Sequence, residues 1–308
     1  MHHTGHAQQR PRRQTQPFSN TAPVRGRLQN KKPETPVLVT GVLLFRLHPL
    51  ALGYHRRMDI LLAAVASLFA GFVDAIVGGG GLILLPALFS VFPSAPPATV
   101  LGINKGSSIW GTAAATWQYA RRVDMRWSAV LPGAVSALVG SFGGAWLVTQ
   151  VSPDALRRLL PLALLAVFLY TLMRKDLGQH HTPRYAGSRE TAAMVALGGV
   201  VGFYDGFFGP GTGSFFVFLL VRWLGYDFMN ASASAKLLNT ASNLAALSLF
   251  AWQGHVWWSV VAVTAVCNVL GSVVGARLAL KHGSGFVRVF FMLVVGALIV
   301  KTGVGAYG

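Results

Sequence analysis

The stretch Asp74-Ala-Ile-Val-Gly78-Gly79-Gly80-Gly81 occurs twice in this chain. A shift of 131 residues lays Asp205-Gly-Phe-Phe-Gly209-Pro210-Gly211-Thr212 on it without a gap, and Gly71-Phe72 falls on Gly202-Phe203. The same shift pairs Lys105 with Lys236, Trp127-Ser128 with Trp258-Ser259, Gly140-Ser141 with Gly271-Ser272, Gly144 with Gly275 and Arg157 with Arg288. From 71 to 147, twenty of seventy-seven positions are identical. Small and aliphatic residues match by composition; Asp, Lys, Trp and Arg do not, so this is an internal repeat. Each copy places an acid and then glycines inside an apolar run, where an ionisable group is costly and marks a functional candidate.

Apolar runs near twenty residues recur from about 59 onward, the pattern of a polytopic membrane protein. The charged fraction of 11% is well below that of soluble domains. The net charge of +17 does not indicate nucleic acid, because of where it lies. Residues 1–57 carry ten Lys/Arg against Glu34, and residues 58–308 carry sixteen against eight acids, mostly at segment ends. That distribution suits basic cytoplasmic loops against an anionic leaflet. The single Cys267 excludes an internal disulfide and any multi-cysteine metal site.

The expected fold is all-α and polytopic, with two tandem repeats of about four transmembrane helices, each containing a glycine-broken short half-helix. Residues 1–57 read as a disordered basic extension, with Met58 as an alternative start. The first transmembrane repeat covers 58–174, a linker 175–189, and the second repeat 190–308. In the first repeat the crossings fall at 59–77, 99–120, 127–149 and 154–173; in the second at 190–207, 229–251, 257–280 and 286–305. The short stretches, 82–92 and 214–224, follow the two glycine breaks. Eleven residues at helical rise cover about 16 Å, half a bilayer core. If these stretches do not cross, each repeat has four crossings and the repeats are parallel. Arg56-Arg57, 121–126 and 174–189 then share the cytoplasmic face, and the 277–288 loop counts against it. Full crossing by the short stretches would invert the repeats, and the parallel arrangement is the expectation.

The candidate substrate site is built from Asp74, Gly78, Gly79, Gly80 and Lys105 in the first repeat, and Asp205, Gly209, Gly211, Thr212, Lys236 and Asn239 in the second. The half-helix after each break offers free amides and a positive dipole end, which attract anions. The two lysines add charge, and Ser107, Ser108, Asn239 and Asn243 add hydrogen-bonding groups. Two alternatives stand beside this. An Asp–Lys bridge can simply fix repeat geometry, and the glycines can serve close helix packing. No G-x-G-x-x-G, P-loop, nucleophile triad or metal-ligand spacing completes itself, so an enzyme is not expected and no cofactor or metal is implied.

The run from Gly71 to Gly81 and on to Pro86, the run from Gly202 to Gly213, and the early-helix Asn104-Lys105 and Ala235-Lys236 positions resemble the TauE/SafE sulfite-exporter (TSUP) family of permeases over about 250 residues. The resemblance implies a multi-pass permease of the bacterial inner membrane moving sulfite, sulfoacetate or related organosulfur or carboxylate anions. From the residues themselves, Asp74 or Asp205 is the candidate carrier of a coupled proton. The runner-up is a non-transporting structural or assembly membrane protein. The implied partners are a small anion and the lipid bilayer, with homo-oligomer formation left open.

Overall fold

The computed structural model describes residues 54–152, 155 and 182–307. The expected basic extension up to residue 53, the crossing at 154–173 apart from residue 155, and the first part of the linker, 175–181, lie outside the described residues. Among those described, every regular element is helical: α1 (Tyr54–Val77), α2 (Gly81–Val91), α3 (Pro97–Ala120), α4 (Trp127–Gln150), α5 (Ser188–Phe207), α6 (Thr212–Leu219) with a π-helical turn Leu220–Leu224, α7 (Phe228–Trp252) and α8 (Trp258–Tyr307). Among the described residues, three stretches are long and apolar enough to cross a membrane: Met58–Val77, Trp127–Gln150 and Trp258–Gly283.

The helices end where the backbone demands it. Gly78 takes φ 81° and Gly209 takes φ 88°, left-handed conformations that a side chain resists. Pro97 opens α3 at a position where its missing N–H is no loss. Asp227 caps α7, its carboxylate accepting from the Asn230 amide at 2.7 Å. The expected segments at 257–280 and 286–305 form one assigned helix with a break at Gly283 (φ 75°, ψ −169°). Gly275 lies against the Phe72 carbonyl, and Phe290 stacks edge-on against the Phe72 ring. The chain therefore doubles back at Gly283, and α8 is a helical hairpin.

Helix packing repeats under the 131-residue shift. Gly71 meets Asn268, and Gly202 meets Ala137; Gly271 meets the Leu68 carbonyl, and Gly140 the Gly199 carbonyl. Gly144 and Gly275 meet the carbonyls of Phe203 and Phe72. A Cβ at any of these glycines would overlap the facing backbone, so the Gly140-xxx-Gly144 spacing does bring helices into close approach. The outward faces carry apolar stripes at helical spacing. On α4 these are Leu131, Val135, Val139, Phe142 and Trp146; on α8 they are Val263, Val266, Leu270 and Val274. Bare stripes of this kind suit lipid.

The relative direction of the repeats differs from the expectation. Along α1 and α8 the contacts run Ser67–Thr264, Gly71–Asn268 and Phe72–Gly275, so the two helices are parallel. Along α3 and α8 they run Gly106–Val261, Ser107–Thr264 and Gly111–Asn268, also parallel. Hence α1 and α3 point the same way. One apolar cluster gathers the C-terminal halves of α1 and α3, the N-terminal halves of α4, α5 and α7, and the α6 segment. The other gathers the opposite ends together with α2. So α1, α3 and the first arm of α8 run one way, and α4, α5 and α7 the other. The equivalent helices α1 and α5 are antiparallel, and the repeats are inverted. The parallel expectation fails because α2 does not merely dip: it returns the chain to the face from which α1 set out. Helix, break and half-helix form a re-entrant hairpin that adds no net crossing.

Inversion also rearranges the charges. Arg121, Arg122, Arg126, Arg184, Arg189, Arg222, Arg277 and Lys281 all fall at the layer of the first cluster. Arg56-Arg57, at the start of α1, falls at the other end. The loop at 277 thus joins the basic face, and Arg56-Arg57 leaves it.

Candidate functional site

The two glycine breaks touch. A Cβ on Gly78 would overlap the backbone of Gly213, and one on Gly213 would come within 2.5 Å of the Gly78 Cα. The Ser214 amide donates to the Gly78 carbonyl at 2.9 Å, and Ser214 Oγ donates to the Val77 carbonyl at 3.0 Å. Ile83, beside the first break, packs against both apolar clusters, so the contact sits where the two layers meet. The tips of two opposed re-entrant hairpins are therefore joined at mid-depth. Broken backbone at that depth is tolerated inside protein, where its polar groups find partners.

The carboxylates pair across the repeats. Lys105 Nζ lies 2.6 Å from Asp205 Oδ1, both side chains being buried. Lys236 Nζ lies 3.4 Å from Asp74 Oδ2 and donates to the Asp74 backbone carbonyl as well. Each lysine reaches the acid of the other repeat. Two ion pairs thus tie α3 to α5 and α7 to α1, beside the touching breaks. Charges placed this deep are sustained only by such partners.

The dipole of α2 is already engaged. Asp74 Oδ1 accepts from the Gly80 amide at 3.2 Å, so a carboxylate of the protein sits at the start of α2. Thr212 Oγ1 donates to the Gly209 carbonyl at 2.8 Å. Gly209 itself lies beside Lys105, whose Nζ would be 3.1 Å from an added Cβ. Gly79, Gly80, Gly211 and Asn239 are buried around this junction, Asn239 one turn past Lys236 on α7. Ser107 lies elsewhere: its hydroxyl donates to the Ile103 carbonyl and pairs with Thr264 Oγ1 at 2.6 Å, in the α3–α8 packing. Three buried side-chain polar atoms have no hydrogen-bond partner among the described residues: Asn104 Oδ1, Asp205 Oδ2 and Ser232 Oγ. The first precedes Lys105, and the last lies one turn before Lys236. Sequence reasoning did not assign Asn104, Ser232 or Ser214 to the site; their position beside the lysines and the second break was the available signal.

At the basic layer a second cluster closes the structure. Glu190 accepts from Arg126 Nη1 at 2.7 Å and from the Tyr226 hydroxyl at 2.5 Å. The shift of 131 places Asp59, Trp257 and Ala95 at the equivalent positions, so the other layer lacks this clamp. Burial drives the Tyr226 phenol well above its ordinary range, and the hydrogen bond to Glu190 adds to the shift.

The family model for the sulfite exporter TauE/SafE matches residues 63–302. The chain belongs to the TauE/SafE family. A probable membrane transporter protein from a Sinorhizobium species is 38% identical over 240 residues, covering 77% of this chain and 89% of that protein. The probable membrane transporter protein YfcA of Escherichia coli K12 is 38% identical over 258 residues, covering 84% and 91%. A probable membrane transporter protein of Haemophilus influenzae is 34% identical over 236 residues, covering 75% and 91%. No solved structure matches the chain. Family and relatives place this TauE/SafE member among multi-pass membrane transporters and not among enzymes.

Proposed function

We propose that this TauE/SafE protein is a secondary transporter for small anions, chiefly sulfite, sulfoacetate and related organosulfur or carboxylate anions, coupled to protons in the bacterial inner membrane. The observation that carries the reading is the pair of crossed Asp–Lys bridges at two touching helix breaks. Inverted repeats with broken helices meeting at the midplane are the usual setting of a transporter's binding site. Lys105 and Lys236 supply the positive charge an anion needs. In the closed arrangement the aspartates neutralise that charge, so an anion competes with Asp74 and Asp205 for the lysines. A proton that discharges one aspartate favours the anion, which is the physical basis for coupling. The family description, sulfite exporter, supports the choice of substrate class. The concentration of Arg and Lys at one layer supports a cytoplasmic assignment for that face.

The test is counterflow in proteoliposomes with sulfite, sulfate, thiosulfate, sulfoacetate and pyruvate. At least one of the sulfur anions should exchange. Lys236→Gln should weaken that anion's apparent affinity roughly ten-fold, the loss of one charged hydrogen bond. Asp74→Asn and Asp205→Asn, in folded protein, should lose flux. Exchange of none of these anions, or unchanged kinetics in all three variants, sinks the proposal.

A further inference from the structure

The two Asp–Lys pairs are equivalent in sequence and unequal in geometry. Asp74 uses both carboxylate oxygens, one on the Gly80 amide and one on Lys236. Asp205 uses one: Oδ1 meets Lys105, while Oδ2 is buried with no hydrogen-bond partner among the described residues. The cause lies in the sequence at the second break. Pro210 stands where the first repeat has Gly79, and Gly211 is left-handed (φ 75°) where its counterpart Gly80 is right-handed (φ −57°). The backbone therefore takes a different path just where the first break supplies an amide to Asp74.

We infer that Asp205 receives the coupled proton at Oδ2, that the Lys105–Asp205 pair is the working half of the site, and that Asp74 is a fixed anchor. The inference rests on the transporter reading above and says which of two equivalent acids acts. A buried carboxylate oxygen with no donor is poorly compensated as an anion, and a proton arriving there removes that deficit. Asp74, held by an amide and an ammonium, gains nothing comparable. Once Asp205 is neutral, Lys105 is left buried without a counter-ion, and a small anion restores the balance. Proton and anion therefore favour each other's binding, reciprocally. The charged groups near Asp205 are Lys105 from α3 and, across the touching breaks, the Asp74–Lys236 pair from α1 and α7. The α4 face packed on α5 brings Ser141, Gly144 and Ala145, none of them charged. From α6 come the hydroxyls of Thr212 and Ser214, and the neighbouring Tyr204 phenol donates to the Pro210 carbonyl at 2.7 Å.

The experiment needs no substrate: infrared difference spectra between alkaline and acidic buffer on purified full-length protein. Acidification should raise a protonated-carboxyl band from a buried, weakly hydrogen-bonded group. Asp205→Asn should abolish it, and Asp74→Asn should leave it in place. Should Asp205→Asn fail to fold, Lys105→Gln decides, because removing the counter-charge should change the intensity of the band between the two buffers. A band that survives Asp205→Asn, vanishes in Asp74→Asn, or ignores Lys105→Gln overturns the inference. In proteoliposomes, sulfoacetate uptake driven by a pH gradient should fall at least about ten-fold in Asp205→Asn. The two readings fail separately. Intact flux with the band assigned to another residue removes the proton site; the band on Asp205 without flux of any anion removes the transport reading.

Discussion

At the scale of single residues, the junction depends on atoms that are absent. Gly78 has a left-handed backbone and no room for a methyl group against Gly213. Gly78→Ala should therefore destabilise the folded protein by about 1–3 kcal/mol or more, from backbone strain and from separation of the two breaks. A thermal melt in detergent checks this. A melting point equal to that of the parent protein would mean the breaks do not need to touch. Position 78 differs in this respect from Gly79, whose added Cβ finds only ordinary contacts, so Gly79→Ala should be much milder in the same melt.

At the scale of elements, the structure is held unevenly. The Arg126–Glu190–Tyr226 clamp ties the α3–α4 loop, the start of α5 and the segment before α7. Glu190 is buried, whereas the Arg126 side chain is about 40% exposed, so its half of the clamp is weakened by solvent. Tyr226→Phe removes the buried hydrogen bond to a charged acceptor and should cost about 1–3 kcal/mol. The cost should mostly disappear when Glu190 is already Gln, as a double-mutant cycle of unfolding midpoints would register. Additive losses would show that the tyrosine and the acid act independently.

At the scale of the whole molecule, the test of inversion uses two positions related by the repeat. Arg122 and Gln253 are 131 residues apart, one in the α3–α4 loop and the other just after α7. Parallel repeats would put both on one face. Inverted repeats put them on opposite faces. In intact cells, with Cys267 replaced by Ala, a membrane-impermeant maleimide should label only one of Gln253→Cys and Arg122→Cys, and with the basic layer cytoplasmic, as proposed, that one is Gln253→Cys. Labelling of both from the same side would contradict the arrangement of the two apolar clusters. Most helix limits were legible in the sequence, because Gly, Pro and charge punctuate a membrane chain wherever a helix must stop. The candidate acids, lysines and break glycines were legible too, since each is costly or useless in an ordinary apolar helix. What repetition could not say was which lysine meets which acid. Within a repeat Asp74 and Lys105 are 31 positions apart, and Asp205 and Lys236 are the same distance apart, so sequence separation offered no preference for a bridge within the repeat over one between repeats.

By itself, then, the amino-acid order determined an all-helical membrane chain, the duplicated breaks, and the ionisable groups buried beside them, because helix termination and the expense of burying charge are local matters. Tertiary structure alone decided that α2 returns to its starting face, that the repeats face opposite ways and that the bridges cross between them. It also decided that Asp205, among the described residues, keeps an unpartnered oxygen while Asp74 does not. Direction and partner choice depend on which surfaces can approach within van der Waals distance, and that condition is set by the close glycine contacts of α1 with α8 and of α4 with α5.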